Sequence, residues 1–519
     1  MKKKLFLSMT ALLACFTLSA VDIYVNPASG NDANNGSQAA PMKTIESAIF
    51  SLKDNTPTTI HIAPNSVILA SAKLNLGSNK KLEIVGKNVT IKAAELAAQT
   101  SPTGPLLGQG DRIILGRSGC DLKIKGITFM NGRCIDYYSG GAIFFDGNTL
   151  EIDSCKFINN QAGASGGAIA ARGKSIIIKN SYFEGNNLLG GGARGAAIMQ
   201  CGPALGDPGT LVVQNCTFYK NMTQSGGAGS AINIYDSSTS GKYSNMGLVE
   251  VTNCTFLENT SPTPYQAVID VCDGDPKVYL TNNTFYKNSD CAFRLLMNKA
   301  YLANNVIVAG KQGIMSEAKV ADGRDEMVAV NNVVVGTEGG VNQGIDDACF
   351  NSAAATNSNV VKTTATYPLA AVGLASTLAI DNFVPYLPIT ASTSALVNAG
   401  TENTTVKFGA NYVLAVDTRG LSTNNRKDIG AYEFEAANTV YSPEYIMDNY
   451  RVSQSGNTIT VKSLHDKPFS MAIVNMTGRT VYSAQITTSV ELSKLAFGHG
   501  VFVLLFNDGS RMSSQKVLF

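Results

Sequence analysis

The amino-acid sequence predicts an all-β protein: a parallel β-helix with a short N-terminal capping helix, followed by a small C-terminal β-sandwich. Three observations support this prediction. A phrase built on Asn-x-x-Phe-x-x-Asn recurs at uneven spacing, as in NCTFYKN at 215–221 and NCTFLEN at 253–259. Apolar residues alternate before each phrase, and a second apolar strand follows it. Residues 451–519 replace this pattern with short strands separated by turns.

The composition of the 519 residues excludes several classes of protein. Charged residues make up 15%, Trp is absent, and Gly occurs 49 times, which argues against disorder, a coiled coil and nucleic-acid binding. The formal net charge is +2. Without the first twenty residues, which hold three Lys and no acid, 38 basic and 39 acidic residues remain. A nearly neutral chain has no general field that attracts a phosphate backbone.

Residues 1–20, MKKKLFLSMTALLACFTLSA, are predicted to be a secretory signal peptide. A lysine cluster precedes an apolar run from Leu5 to Leu18, and small residues follow it. The run is too short for a stable membrane span, and no second one exists, so we expect an exported chain with no transmembrane span. Lipidation at Cys15, which ends a weak lipoprotein-like box, stays open.

The segment KTIESAIFSL at 43–52 predicts the capping helix. Its spacing places Ile45, Ala48, Ile49 and Leu52 on one helical face. An uncovered end of a β-helix would expose apolar interior and strand edges, and this face has the shape of a lid. Residues 21–110 are therefore assigned to the cap and the first coils.

The recurring phrase predicts the coils of the β-helix. If one coil stacks on the next at about 4.8 Å, equivalent residues form columns, and turn Asn side chains can bond the Asn of the next coil. Residues 111–345 are assigned to regular coils and 346–436 to less regular terminal coils. The anchors are Phe129, Phe157, Phe183, Phe218, Phe256 and Phe285, then Ile307 and Val334; the Asn residues three before them are Asn180, Asn215, Asn253, Asn282, Asn304 and Asn331, and those three after are Asn160, Asn186, Asn221, Asn259 and Asn288.

The strand after each anchor should also face the interior on alternate residues, with Gln200 as a polar exception. Nine Cys lie outside the signal peptide, and Cys155, Cys216 and Cys254 precede the anchor by two residues, so we expect them to stack. The sequence leaves the disulfide pairing of the nine open. It contains no Cys or His cluster with zinc spacing.

The repeats resemble those of chlamydial polymorphic outer membrane proteins, through the alternation of GGAI strands with FxxN phrases over about 120–290. This resemblance implies a right-handed β-helix. YVNPASGNDANNGSQAAPMKTIESAI, near the N-terminus, is similar to the start of pectate-lyase-like β-helix proteins. DTRGLSTNNRKDIGAYEF at 417–434 looks like the closing motif of bacterial β-helix proteins that carry sorting tails.

After a linker at 437–450, residues 451–519 resemble the type A C-terminal sorting domains of the type IX secretion system. The match rests on VNMTGR at 474–479, GVF at 500–502 and KVL at 516–518. The resemblance implies that the type IX machinery is a partner, that the chain crosses the outer membrane, and that its place is the cell surface or the medium. The sequence leaves open whether this domain is cleaved.

Candidate site residues follow the outward positions after the repeat Ile, which run Phe144, Ala170, Met199, Asn233, Asp270 and Arg294. The last three are polar and fall in successive coils, beside expanded turns at 201–209, 236–247 and 272–277. Lyases of this fold use carboxylates and an Arg or Lys base, so Arg294 and Asp270 are the predicted catalytic residues. The alternative is a cross-coil surface ion pair between them.

The turn VIDVCDGDPK also predicts a calcium site with Asp270, Asp273 and Asp275 as ligands, since Ca²⁺ prefers carboxylate oxygens. The alternative is an ordinary Asp-Gly turn. Asn233, Tyr235, Asp236 and Tyr243 are the predicted ligand-binding residues, with exposed loop side chains as the alternative.

Two functions remain open at this stage. The first is a non-catalytic, monomeric scaffold that acts as an adhesin or binds a polysaccharide or cell-surface glycan. The second is a polysaccharide lyase or glycoside hydrolase that acts on an acidic polysaccharide. Fold alone does not separate them, because the same architecture carries both kinds of site.

Overall fold

The structure is a computed structural model. It forms two compact units, one within Met1–Phe434 and one within Glu435–Phe519. It describes residues 20–70, 73–93, 112–134, 139–203, 208–235, 246–262, 266–272, 276–289, 291–295, 299–308, 314–316, 327–335, 360–362, 372–375, 378–381, 384–390, 394, 396, 399, 428–431, 445–446, 450–455, 458–463, 467–475, 479–493, 496–497, 501–507 and 512–518.

The first unit is a parallel β-helix whose coils stack as the repeat predicts. Twenty strands make one parallel sheet, which the long strands Lys81–Ala93 and Asp121–Met130 join into two columns, sheet A and sheet B. Sheet A also contains Val21–Val25, Pro57–Ile62, Thr149–Asp153, Ser175–Lys179, Gly209–Gln214, Met246–Thr252, Lys277–Thr281, Lys299–Ala303 and Met327–Val330; sheet B contains Val67–Ala70, Lys156–Ile158, Tyr182–Glu184, Thr217–Tyr219, Thr255–Leu257, Thr284–Tyr286, Val306–Val308, Val333–Val335 and Val360–Lys362.

A third column, sheet C, closes each coil, and three short strands form sheet D between sheets B and C. Sheet C contains Leu74–Asn75, Ile114–Gly116, Ile143–Phe145, Ile169–Ala171, Ile198–Gln200, Ile232–Ile234, Ala267–Val271, Cys291–Leu295 and Ile314–Ser316; sheet D contains Arg133–Cys134, Gln161–Ala162 and Asn187–Leu188. Every pairing in these sheets is parallel and in register from coil to coil, apart from local shifts near Gly209 and Val85.

The predicted Phe column is confirmed. The six anchor rings from Phe129 to Phe285 stack face to face, with centroids 4.5–5.2 Å apart, and Ile307 and Val334 continue the column. All six rings are at most 1% exposed. Such burial with offset stacking makes the column a main source of the stability of the coils.

The predicted amide ladder is also confirmed. Each Asn three residues after the anchor donates through Nδ2 to Oδ1 of the next coil's Asn at 2.9–3.0 Å, from Asn160 through Asn186, Asn221 and Asn259 to Asn288. Each Nδ2 also donates to a backbone carbonyl, for example Asn221 to Phe183. The ladder lets a buried turn satisfy its backbone groups.

The Asn residues three before each anchor recur for a different reason, which is the backbone conformation at that position. From Asn180 to Asn331, φ lies between 49° and 57° at these bends between sheets A and B. Asn tolerates this left-handed region better than other side chains with a Cβ, which explains the fixed position. The predicted cysteine column is confirmed only in part: Cys216 N donates to Cys254 Sγ at 3.5 Å, whereas Cys155 N donates to Ser181 Oγ of the next coil at 3.2 Å, so a serine separates Cys155 from Cys216. The eight described cysteines, from Cys120 to Cys291, are all buried.

The N-terminal helix spans Ile45–Phe50. Thr44 caps it by accepting a hydrogen bond from the Ser47 N–H, and its buried residues Ile45, Ala48 and Ile49 join the main core. Leu52 is 8% exposed, so the predicted apolar face is buried. Gln200 points inward, where its Nε2 donates to the Gly173 carbonyl at 3.1 Å.

The described residues between 346 and 436 fall into two structural groups. Val360–Lys362 continues sheet B, whereas described residues from 372 to 431 pack across the outer face of that sheet. Ala431 N donates to Thr284 Oγ1 at 2.9 Å, and Val372, Leu387 and Ile429 bury the apolar side chains there. Ala379–Asp381 and Val384–Tyr386 pair antiparallel within this segment.

The second unit contains two antiparallel four-stranded sheets around one core. One sheet holds Tyr445–Ile446, Tyr450–Ser455, Thr458–Ser463 and Ser489–Ser493; the other holds Thr480–Ile486, Phe469–Asn475, Val501–Asn507 and Met512–Leu518. Val452 and Ile459 from the first sheet pack with Ile473 and Leu504 from the second. This is the sandwich that the alternation of the last residues predicts.

Candidate functional site

The outer face of sheet C carries the predicted site residues that the structure describes. Asn233, Asp270 and Arg294 occupy the same position in three successive coils, as their register shows. Asn233 and Asp270 are fully buried although they point away from the interior. Their side chains are on the face of sheet C opposite the core residues Ile232 and Ile269, so the site belongs to the outside of the β-helix.

Asp270 and Arg294 form a bidentate ion pair. Arg294 Nε donates to Asp270 Oδ1 at 2.9 Å, and Nη2 donates to Oδ2 at 2.8 Å. The Asp270 side chain is 0% exposed and that of Arg294 is 14% exposed. Burial alone would lower the pKa of Arg294, but the Asp270 carboxylate and its hydrogen bonds outweigh it and raise this pKa above the usual value. The guanidinium therefore keeps its proton.

Cys272 connects this pair to a second arginine. Its Sγ accepts from Arg294 Nη2 at 3.2 Å and from Arg194 Nη1 at 3.2 Å. The Arg194 guanidinium also lies 3.9 Å from the centroid of the Tyr235 ring, a close cation–π contact. We call these five side chains, Arg194, Tyr235, Asp270, Cys272 and Arg294, the arginine cluster.

The charge of the arginine cluster is not balanced by its own members. Burial and, second to it, the Asp270 carboxylate together raise the pKa of Cys272 to about 12, so the thiol is neutral at physiological pH. Asp270 then offers one negative charge against two guanidiniums. Arg194 forms no ion pair within the described part of the chain. A partly buried guanidinium whose charge is not balanced, held against an aromatic ring, is suited to binding an anion.

Asn233 lies directly against the arginine cluster. Its Nδ2 donates to the Asp270 carbonyl at 3.4 Å and to Cys272 Sγ at 3.5 Å, while its buried Oδ1 has no hydrogen-bond partner among the described residues. Of the predicted ligand-binding residues, Asn233 and Tyr235 are thus brought together. Asp236 and Tyr243 lie outside the described residues.

The predicted calcium site is described only at Asp270, since Asp273 and Asp275 lie outside the described residues. Both Asp270 oxygens accept from Arg294, so this carboxylate could join a cation only if the ion pair opened. Among the side chains that are described, no group of three or more His, Cys, Asp or Glu could hold a metal ion. Calcium binding stays a prediction.

Three arginines on this face escaped sequence reasoning. Arg112 and Arg172 lie over the Phe144 ring at 4.9 Å and 5.6 Å, and Arg194 belongs to the arginine cluster. Arg172 could have been found, because it directly follows a sheet C strand at the position of Tyr235 and Cys272. Arg194 could not, because its contact with Cys272 depends on how a long side chain is turned.

Comparisons with known proteins bear on the fold. Residues 112–308 match a family described as the right handed beta helix region, so these coils form a right-handed parallel β-helix. No curated protein matches the sequence. Among the described residues, no helix has the length and apolar character needed to cross a membrane.

Solved structures of GH136 lacto-N-biosidase from Eubacterium ramulus are similar to this chain. The native protein has a TM-score of 0.26 at 10% identity, covering 60% of this chain and 64% of that one. The selenomethionine derivative has a TM-score of 0.23 at 10% identity, covering 59% and 67%. This chain thus spans less than two thirds of the native enzyme chain.

Proposed function

We propose that this right-handed β-helix is an exported, cell-surface scaffold that binds an acidic glycan on the outer face of sheet C without cleaving it. The observation that carries the proposal is the arginine cluster, in which one carboxylate faces two guanidiniums. Arg194 stacks on Tyr235, an arrangement that offers a glycan both a fixed cation and an aromatic edge. The fold provides a rigid support for such a site, because the strands beneath it are paired on both sides.

The state of Arg294 supports binding over cleavage. A general base must give up its proton near the working pH, whereas the pKa of Arg294 is raised by its bidentate pair with Asp270. The alternative, a lyase or hydrolase for acidic polysaccharides, would need this pair to open when substrate binds. The observation that favours this alternative is that Asp270 and Arg294 lie in adjacent coils of one outer face.

Export is part of the same proposal. The signal-like segment 1–20 and the resemblance of 451–519 to type IX sorting domains support passage across the outer membrane, and the sandwich fold of the second unit is compatible with it. Detection of the chain on intact cells, and its loss after deletion of 451–519, would test this part.

The binding experiment uses the purified chain with polygalacturonate, alginate and their carboxyl-reduced, uncharged forms. We expect the charged polymers to bind and Arg194→Gln to weaken binding about tenfold, since a charge-assisted contact contributes about 1.5–3 kcal/mol. Lys179→Gln is the matched control, because Lys179 is exposed on the outer face of sheet A. Equal binding of the charged and uncharged polymers would overturn the proposal.

The same samples separate binding from cleavage and test calcium. Ultraviolet absorbance of unsaturated product that grows with time, and that Arg294→Ala abolishes, would establish the lyase alternative. New reducing ends without that absorbance would indicate hydrolysis. Binding that is lost in a chelator and restored by Ca²⁺ would support the predicted site at Asp270, Asp273 and Asp275.

A further inference from the structure

We propose that a second glycan-binding groove runs along the rod beside sheet D, away from the arginine cluster, and that it holds a linear acidic polysaccharide parallel to the axis. The inference rests on the proposed glycan-binding function and adds a separate site to it. The groove has a volume of about 520 Å³. Gln161, Asn187, Met222 and Thr260 form its floor in successive coils.

One rim of the groove consists of the turn residue that ends each sheet B strand. Asn159, Gly185, Lys220, Glu258 and Lys287 occupy this position in five consecutive coils, about 19 Å along the axis at the spacing of stacked strands. All five have positive φ, between 51° and 62°. The first two are the residue types that favour this conformation.

Lys220, Glu258 and Lys287 are not such residues, and this is the observation that points to a ligand. A side chain with a Cβ costs roughly 1–2 kcal/mol in the left-handed region, and long residues other than Asn and Asp are rare there. Three successive coils carry this cost where Asn or Gly would remove it. Strain of this kind is retained at functional sites.

The charges on the rim fit an acidic ligand. Lys220 Nζ lies 3.7 Å from Glu258 Oε2, so this pair is close to neutral. Lys287 forms no ion pair with any described side chain, and its ammonium lies 5.0 Å from the Tyr286 ring centroid. Lys220 lies over Tyr219 in the same way, at 4.7 Å. The two aromatic rings hold the ammonium groups along the rim, where a carboxylate of the ligand can reach them.

The floor favours a polysaccharide over an extended peptide. Backbone groups of the floor already pair along the axis, as in Met222 N to the Asn186 carbonyl at 2.9 Å and Leu188 N to the Met222 carbonyl at 3.1 Å. A peptide in the groove could not add a strand and would leave its own amides unpaired. Sugar hydroxyls can instead bond the Gln161 and Asn187 amides, while Met222, 39% exposed, offers an apolar surface to a ring.

The test is the double substitution Lys220→Asn with Lys287→Asn, which removes both lysine charges and the backbone strain at these two positions. We expect polygalacturonate to bind about tenfold more weakly, as for loss of charged contacts, while the thermal midpoint stays equal or rises. Lys179→Asn, which removes one exposed positive charge from the outer face of sheet A, is the control and should change neither quantity. A structural role for the two lysines would instead lower the midpoint.

Four outcomes decide the inference. If adding the two lysine substitutions to Arg194→Gln weakens binding more than Arg194→Gln does alone, two sites are supported. Binding that depends on Arg194 but not on Lys220 or Lys287 overturns the groove and leaves the proposed function intact. No binding of any acidic polymer by the unaltered chain overturns both. Binding of denatured casein, an extended acidic polypeptide, that needs the two lysines while polygalacturonate does not bind would replace the glycan with a protein ligand.

Discussion

The interior columns and the outer face of sheet C belong to the same coils, but they repeat differently. Inside, one residue type recurs from coil to coil, as in the Phe column and the Asn ladder. Outside, each coil contributes a different side chain, from Phe144 and Ala170 to Asp270 and Arg294. Stacking requires equivalence only where side chains are enclosed, so the outer face is free to differ and can carry a site.

The largest effect should come from the interior. Phe218→Ala removes a ring between two stacked neighbours and is expected to lower the free energy of unfolding of the first unit by about 3–5 kcal/mol. Urea denaturation measures this change. Phe50→Ala is the matched control, because Phe50 is 94% exposed, and it should change the free energy by less than about 0.5 kcal/mol. Equal losses would contradict an enclosed column.

The next largest effect should come from the ion pair at the outer site, if this site excludes water as the interior does. Asp270→Asn leaves the Arg294 guanidinium buried without its carboxylate and should cost about 3 kcal/mol. The double variant Asp270→Asn with Arg294→Met should recover much of that loss, since no unpaired charge remains. The comparison would fail if Asp270→Asn cost no more than Glu151→Gln, which breaks an exposed pair with Lys123.

The smallest effect concerns pH. The pKa of Cys272 is about 12 against an ordinary 9.0, so its neutral thiol contributes stability below pH 9 that is lost between pH 9 and 12, because the unfolded chain ionises first. Over that window Cys272→Ala should lose about 1.4 kcal/mol less per pH unit than the unaltered chain. Unfolding free energies at pH 7, 9 and 10 measure it.

Cys155 is the interior counterpart in this measurement. Its pKa is also raised to about 12, chiefly by burial, so Cys155→Ala should flatten the pH dependence to a similar extent. If only Cys155→Ala does so, the thiol at the outer site is more open to water than its 5% exposure indicates.

The contrast between the interior columns and the outer face also explains which features of the structure can be predicted from the sequence. The Phe column from Phe129 to Phe285 and the Asn ladder are predicted because stacking ties residue type to place. The helix at Ile45–Phe50 is predicted because its apolar residues recur at helical spacing. The register of Asn233, Asp270 and Arg294 is predicted for the same reason. The position of Arg194 over Tyr235 and Cys272 is not, because side-chain direction across coils leaves no period in the sequence.

The later segment shows a second limit. Nothing periodic in residues 372–431 indicates that they pack across sheet B, because such a contact depends on which apolar side chains remain uncovered outside the coils. In hindsight, Leu257, Tyr286 and Val308 mark that surface, because they are buried and apolar at the strand position where an earlier coil has the charged Glu184. Packing between distant segments is visible in sequence only as such unexplained apolar residues.

The Asn ladder has a consequence for how this rod can change length. Every amide from Asn160 to Asn259 points the same way, and each coil offers its neighbour an identical donor and acceptor. Removing one whole coil, such as the thirty-five residues from Asn187 to Asn221, would bring Asn186 against Asn259 with matching chemistry. Gain or loss of complete coils is therefore a route by which related chains could become longer or shorter while their junctions still fit.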